Sequence, residues 1–257
     1  AKKAEGLSSH TQAFYKQQMR HFLVYCEAQA IGQISQISAA IIRNYLLWLE
    51  ETNHNPGGRH AAYRVLKTFL RWYDCEVEPE GWRNPIDKVK APKVTEEPLD
   101  PVEIKDVSAM LATCDDSFLG KRDKAILLFL LDTGVRAREF EALNLADVDL
   151  VTGLVDIRQG KGGKARQVVV GSDARKTLRI YLKLRTDQLP VLWITDERTD
   201  RLSYGGLRKL ILKHSKKAGI SIPGAHDFRR AFAINMLRKG VDLATLAELM
   251  GHTSIKV

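Results

Sequence analysis

The sequence predicts a mainly α protein of two lobes, the first wholly helical and the second mixed α+β with a small antiparallel sheet. Three observations predict it. Apolar residues recur at helical spacing from Ser8 to Tyr73; four of the eight prolines fall within residues 85–101; and two short β-prone runs flank Gly160-Lys161-Gly162-Gly163-Lys164. A length of 257 residues is more than one small core needs, so two modest domains are expected.

In order along the chain, the first helix is expected from Ser8 to Ala28, with Ser8 or Ser9 as its N-cap. The second, Ser38 to Glu51, carries Ile41, Ile42, Tyr45, Leu46 and Leu49 on one face. Asn55-Pro56-Gly57-Gly58 turns the chain into a third helix, Gly57 to Tyr73. The proline-rich stretch follows, and since proline disfavours helix for itself and its predecessor, residues 84–101 are expected to form an extended linker. Beyond it, Asp123 to Leu131 is apolar on every face and reads as a buried helix, ended at Thr133-Gly134 by a glycine able to turn left-handed. Gly153 to Arg158 and Ala165 to Val170 form a hairpin. Helices are expected at Ser172–Leu184, Tyr204–Ala218, Asp227–Lys239 and Leu243–Met250, with a short strand at Val191–Thr195. The domains are therefore residues 1–83, a linker 84–101, and 102–257.

Composition narrows the function classes. The formal net charge is +9 and the isoelectric point near 9.4, which favours a polyanionic partner. Residues 1–73 hold nine Lys/Arg against four Asp/Glu, residues 151–186 nine against two, and residues 201–217 six against none. The longest apolar run, Ala125 to Leu131, is seven residues, far below the ~20 that cross a bilayer. Cys26, Cys75 and Cys114 are widely spaced and fit neither a disulfide framework nor a zinc site. No metal, no cofactor and no membrane association are expected, and a cytoplasmic location fits best. Gly160 to Lys164 lacks the Ser/Thr and the upstream glycine of a P-loop, which excludes nucleotide binding.

Two short segments carry chemistry. Arg136 follows the glycine break near a helix start, where backbone N–H groups also favour anions, and Glu139 can reach back to it along one face. Taken alone, that pair is better read as a surface ion pair worth ~0.3 to 0.5 kcal/mol. His226 and Arg229, three apart at another helix start, point to one side.

Together the ordered segments resemble the tyrosine recombinases of the phage-integrase family, in their compact, Xer-like two-domain form. The resemblance rests on the Asn-Pro and Val-Lys-x-Pro-Lys linker, Arg-Asp-Lys-Ala-Ile-Leu-Leu, Thr133-Gly134-x-Arg136-x-x-Glu139, the lysine-bearing hairpin, His226-x-x-Arg229, Gly240-Val241-Asp242 and Leu249-Met250-Gly251-His252. It implies a SAM-like core-binding domain followed by a catalytic domain, and site-specific recombination of duplex DNA through a 3′-phosphotyrosyl intermediate without ATP or metal. By the same resemblance, Arg136 and Arg229 clamp the scissile phosphate, Lys161 protonates the 5′-hydroxyl leaving group, His226 moves the nucleophile's proton, His252 contacts the phosphate and Glu139 supports Arg136. Self-association into a tetramer on paired sites and a nucleoid-associated location are implied too. The departures are Arg230, where the family commonly has histidine, and Arg138, where a small residue is usual.

No tyrosine follows His252 in these 257 residues, so DNA binding without cleavage is the expectation, a truncated recombinase being the reading. A catalytically inactive DNA-binding relative and a type IB topoisomerase are the alternatives. Candidate DNA contacts are Lys16, Arg20, Arg43, Arg59, Arg64, Lys67 and Arg71 in the first lobe, with Lys164 and Arg166 in the hairpin.

Overall fold

The computed structural model describes residues 5–94, 100–158 and 165–251. The chain divides into two compact units, residues 1–97 and 98–257. No helix of the described residues is long and apolar enough to cross a membrane.

The first unit is built on α1 (Ser9–Ala28), α2 (Ala39–Glu51) and α3 (Pro56–Val77). Each start is fixed by a side chain that accepts an otherwise unpaired backbone N–H. Ser8 takes that of Thr11, Ser38 that of Ile41, and Asn55 that of Gly58, with Pro56 at the first helical position. Phe22, Tyr25, Ile42, Tyr45, Leu49, Leu66 and Leu70 form the core between them. Burying each such side chain contributes about 1.5–3 kcal/mol.

Residues 85–88 are not extended but form a 3₁₀ turn, Pro85–Lys88, and Ile86 and Val89 enter the first unit's core. Apolar burial outweighs the extended preference of Asn-Pro, and the Tyr63 hydroxyl secures the turn by donating to the Val89 carbonyl at 2.9 Å.

The second unit opens with α4 (Ile104–Ala112), a helix beyond those expected from the sequence; Val107 and Met110 are its buried residues. α5 (Phe118–Thr133) starts five residues before Asp123, because Ser117 caps it at Gly120. Ala125, Ile126, Leu127, Phe129 and Leu130 make it the buried axis of the unit, packed against α7 (Ser172–Lys183) and α9 (Ala225–Arg238). Between them lie α6 (Ala137–Ala142) and the antiparallel hairpin of β1 (Leu154–Ile157) and β2 (Arg166–Val169), with Leu154 opposite Val169 and Ile157 opposite Arg166. α8 (Tyr204–Ala218) packs against α4, and α10 (Leu243–Leu249) against α9 and β2.

Val191–Thr195 is not a strand. It makes only single bridges, Asn144 with Val191 and Ile194 with Arg201. Packing decides its course instead: Trp193 is buried and stacks on Phe140 at 5.2 Å and on Tyr181 at 5.7 Å between ring centroids.

Candidate phosphate-binding site

Four segments far apart in sequence converge in the second unit. Gly134 ends α5 in the left-handed conformation, φ 55°, and a Cβ there would stand 2.5 Å from the Phe232 ring. That turn delivers Arg136 to the N-cap of α6 and Glu139 to its first turn. Arg166 comes from β2, Arg229 from the first turn of α9, and the Leu249–Gly251 backbone from the end of α10.

Glu139 is the anchor. Its side chain is 3% exposed and accepts four hydrogen bonds: from the Arg136 backbone N–H at 2.8 Å, from Arg136 Nη1 at 2.8 Å, and from Arg166 Nη1 and Nη2 at 2.8 and 2.7 Å. Burial alone would raise its pKa, but the Arg166 fork and the two Arg136 donors outweigh it and hold the carboxyl down at about 2. The surface-pair reading of Arg136 and Glu139 is thereby set aside, because an exposed pair lacks this desolvation and this second arginine.

The guanidiniums are fixed further by backbone carbonyls. Arg136 Nη2 donates to Gly251 at 2.9 Å, Arg166 Nε to Leu249 at 2.7 Å, and Arg229 to Gly134 at 2.7 Å and to Met250. Gly251, at φ 62°, allows this approach: a Cβ on it would meet Arg166 Nη1 at 3.0 Å and Arg136 Nη1 at 3.3 Å. Burial, reinforced by the charges of Arg136 and Arg166, lowers the Arg229 pKa to about 10, so it stays cationic at neutral pH. Three guanidiniums thus surround one carboxylate. Arg229 and Arg166 are buried while the Arg136 side chain is 21% exposed, which makes Arg136 the arginine an incoming anion meets.

Residues 102–257 match the sequence model of the phage integrase family. The chain belongs to that family. It is 33% identical over 264 residues to tyrosine recombinase XerC 2 of Ralstonia nicotianae, covering 97% of this chain and 75% of that protein. It is 29% identical to tyrosine recombinase XerA of Thermococcus kodakarensis, over 98% and 83% of the two chains. Among solved structures, the fold is shared with a lambda integrase dimer bound to a core site, TM-score 0.78 at 15% identity, over 98% of this chain and 91% of that one. The crystal structure of XerA recombinase aligns with a TM-score of 0.56 at 24% identity, over 98% and 86%. The chain is therefore a tyrosine recombinase by family, an enzyme class that breaks and rejoins DNA.

Within this integrase-family chain, the other expected site residues are placed as follows. His226 is exposed at the start of α9, one turn before Arg229. Lys161, Lys164 and His252 lie outside the described residues. Arg230 pairs with Asp227, and Arg138 is exposed. Arg166 differs from the expectation: its side chain is 7% exposed and faces the protein rather than an exterior surface. The strand period holds the signal for this, since Arg166 shares its face with buried Val168.

In the first unit, Lys16 and Arg20 are exposed on α1. Arg64, Lys67 and Arg71 form one stripe along α3, Lys67 lying over the Tyr63 ring and Arg71 3.7 Å from Asp87. Arg43 is exposed yet donates to the Lys88 carbonyl at 2.9 Å. Arg59 is mostly buried and paired with Glu50, so its charge is already answered within the protein.

Proposed function

We propose that the second unit holds one phosphate of duplex DNA against Arg136 and Arg229 and activates it for site-specific strand cleavage and exchange through a 3′-phosphotyrosyl link. The observation that carries this reading is the convergence of the Arg136, Arg166 and Arg229 guanidiniums, fixed by Glu139 and by the 134 and 249–251 carbonyls, with the Arg136 side chain 21% exposed. A guanidinium held in fixed geometry and reaching the surface binds a phosphate through its fork. The fold shared with a lambda integrase bound to its core site supports duplex DNA as the source of that phosphate.

In the reaction so proposed, the hydroxyl of a tyrosine that the residues after His252 in this sequence do not supply attacks phosphorus, the P–O5′ bond breaks, and the new P–O bond to tyrosine keeps the phosphodiester energy. Arg136 and Arg229 stabilise the charge that grows on the non-bridging oxygens. His226 takes the proton of the attacking hydroxyl, Lys161 gives one to the departing O5′, and His252 adds a contact to the phosphate. Glu139 holds Arg136 in place. The stripe Arg64, Lys67 and Arg71, with Lys16 and Arg20, contacts the DNA backbone, and recombination proceeds in a tetramer on paired sites.

The test starts by selecting bound duplexes from a random-sequence pool, then measures affinity for the selected duplex at fixed salt. Arg136→Ala and Arg229→Ala are each expected to weaken binding about 10- to 100-fold, the worth of lost charge-assisted hydrogen bonds. Affinity equal to the unaltered chain for either variant, with the fold intact, overturns the reading.

A further inference from the structure

We infer that Arg166 is a positioning residue for Arg136: by satisfying Glu139 and tying down the Leu249–Gly251 backbone, it leaves the Arg136 charge for the phosphate. The inference rests on the phosphate-site reading above and names a residue that acts inside it. Its warrant is that Arg136 and Arg166 share the same two anchors. On Glu139, Arg166 takes both oxygens through its fork at 2.8 and 2.7 Å, and Arg136 adds one side-chain and one backbone bond. On the α10 end, Arg166 Nε holds Leu249 while Arg136 Nη2 holds Gly251 two residues on.

The consequences follow from charge. A buried carboxylate with Arg136 as its sole bidentate cation would draw that guanidinium inward and neutralise it. With Arg166 bound to the same carboxylate, one positive charge is spent within the protein and Arg136 stays available. A side chain that is 7% exposed, with both ends of its fork on Glu139, is poorly placed to grip DNA directly. The groups that face Glu139 are Arg136 from α6, Arg166 from β2 and Arg229 from α9. Asp147, Asp156 and Arg158 line a cavity of about 90 Å³ beside it.

The test is a cycle on the full chain with the selected duplex, comparing Arg166→Gln, Arg136→Ala and the double variant. Arg166→Gln is expected to weaken binding about tenfold, the order of one charge-assisted hydrogen bond, and the double variant to bind no more weakly than Arg136→Ala alone. Losses that multiply, or an Arg166→Gln affinity equal to the unaltered chain, overturn the inference. Two readouts without DNA separate this from failure of the phosphate reading. In Arg166→Gln the Glu139 carboxyl, followed by carbon NMR, should titrate at higher pH, and amide exchange at Met250 and Gly251 should quicken. If Arg136→Ala leaves DNA affinity intact, the phosphate reading falls, and these readouts alone decide: movement in both supports positioning, and no movement overturns it. Should Arg166→Gln fail to fold, Arg166→Lys keeps the charge without the fork and is expected to speed the same amides; unchanged exchange there overturns the inference.

Discussion

Two of the second unit's buried arginine–carboxylate clusters, around Asp123 and around Glu139, are built to opposite ends. Around Asp123, Arg122 and Lys213 face Asp123 and Asp196, two cations against two carboxylates. Arg122 is 3% exposed and its donors end on Asp123, on Asp196 and on the Ile194 carbonyl. His214 closes the far side, 2.9 Å from Asp123 and 2.6 Å from Thr113. Around Glu139, three arginines face one carboxylate and one of them is partly open. The first cluster spends its charge on holding α5, α8 and the 194–196 segment together. In the second, the Arg136 side chain is 21% exposed, which suits the phosphate contact proposed for it.

The largest expected effect comes from breaking the closed cluster. Asp123→Ala leaves Arg122 and Lys213 buried or half-buried without their shared partner, and should cost about 3–5 kcal/mol, read from the denaturant midpoint. An unchanged midpoint would mean that this cluster does not hold the unit together.

Acid comes next, and acts on both clusters. Burial raises the Asp123 pKa but His214, Arg122 and Lys213 outweigh it, so both carboxyls titrate below their ordinary values. A folded-state pKa below the unfolded one adds stability above the unfolded value and loses it as pH falls. For Glu139, lowered from 4.5 to about 2, roughly 3 kcal/mol should be lost between those pH values. The difference between the unaltered chain and Glu139→Gln, followed by urea titration over that window, isolates the Glu139 share; parallel curves would refute it.

A smaller effect sharpens the contrast. Gly251→Ala places a side chain at φ 62° and against Arg166 Nη1, costing about 1–2 kcal/mol in stability. Because the added methyl presses on the two arginines, DNA affinity should fall more than stability does; equal losses would count against the site. Smallest of all, Arg64→Ala in the first unit should lower the slope of log affinity against log salt by about one, with little change in melting temperature. An unchanged slope removes Arg64 from the DNA contacts.

Much of this was legible in the residues. Ser38, Asn55 and Gly134 mark helix ends by local chemistry, and Arg136, Glu139 and Arg229 stand out through the ordered segments that resemble the integrase family. What escaped depends on contacts distant in sequence. Arg166 meets Glu139 27 positions away and Leu249 83 positions away, so its basic surroundings suggested an exposed residue. Val191–Thr195 has the composition of a strand but finds no strand to pair with, and is placed by Trp193 instead. Ile86 and Val89 lay under a proline signal that hid their burial. α4 is short and has no side-chain N-cap, so only the spacing of Val107 and Met110 marks it in the sequence.

The central claim is that Arg136 keeps its charge for a phosphate, and one coupling measurement addresses it directly. Each phosphate of the selected duplex is replaced in turn by a neutral methylphosphonate, and affinity is measured for the unaltered chain and for Arg136→Ala. One position should weaken the unaltered chain about tenfold or more while leaving Arg136→Ala unaffected, the signature of a direct pair. If every replacement weakens both proteins alike, Arg136 holds no phosphate and the account fails.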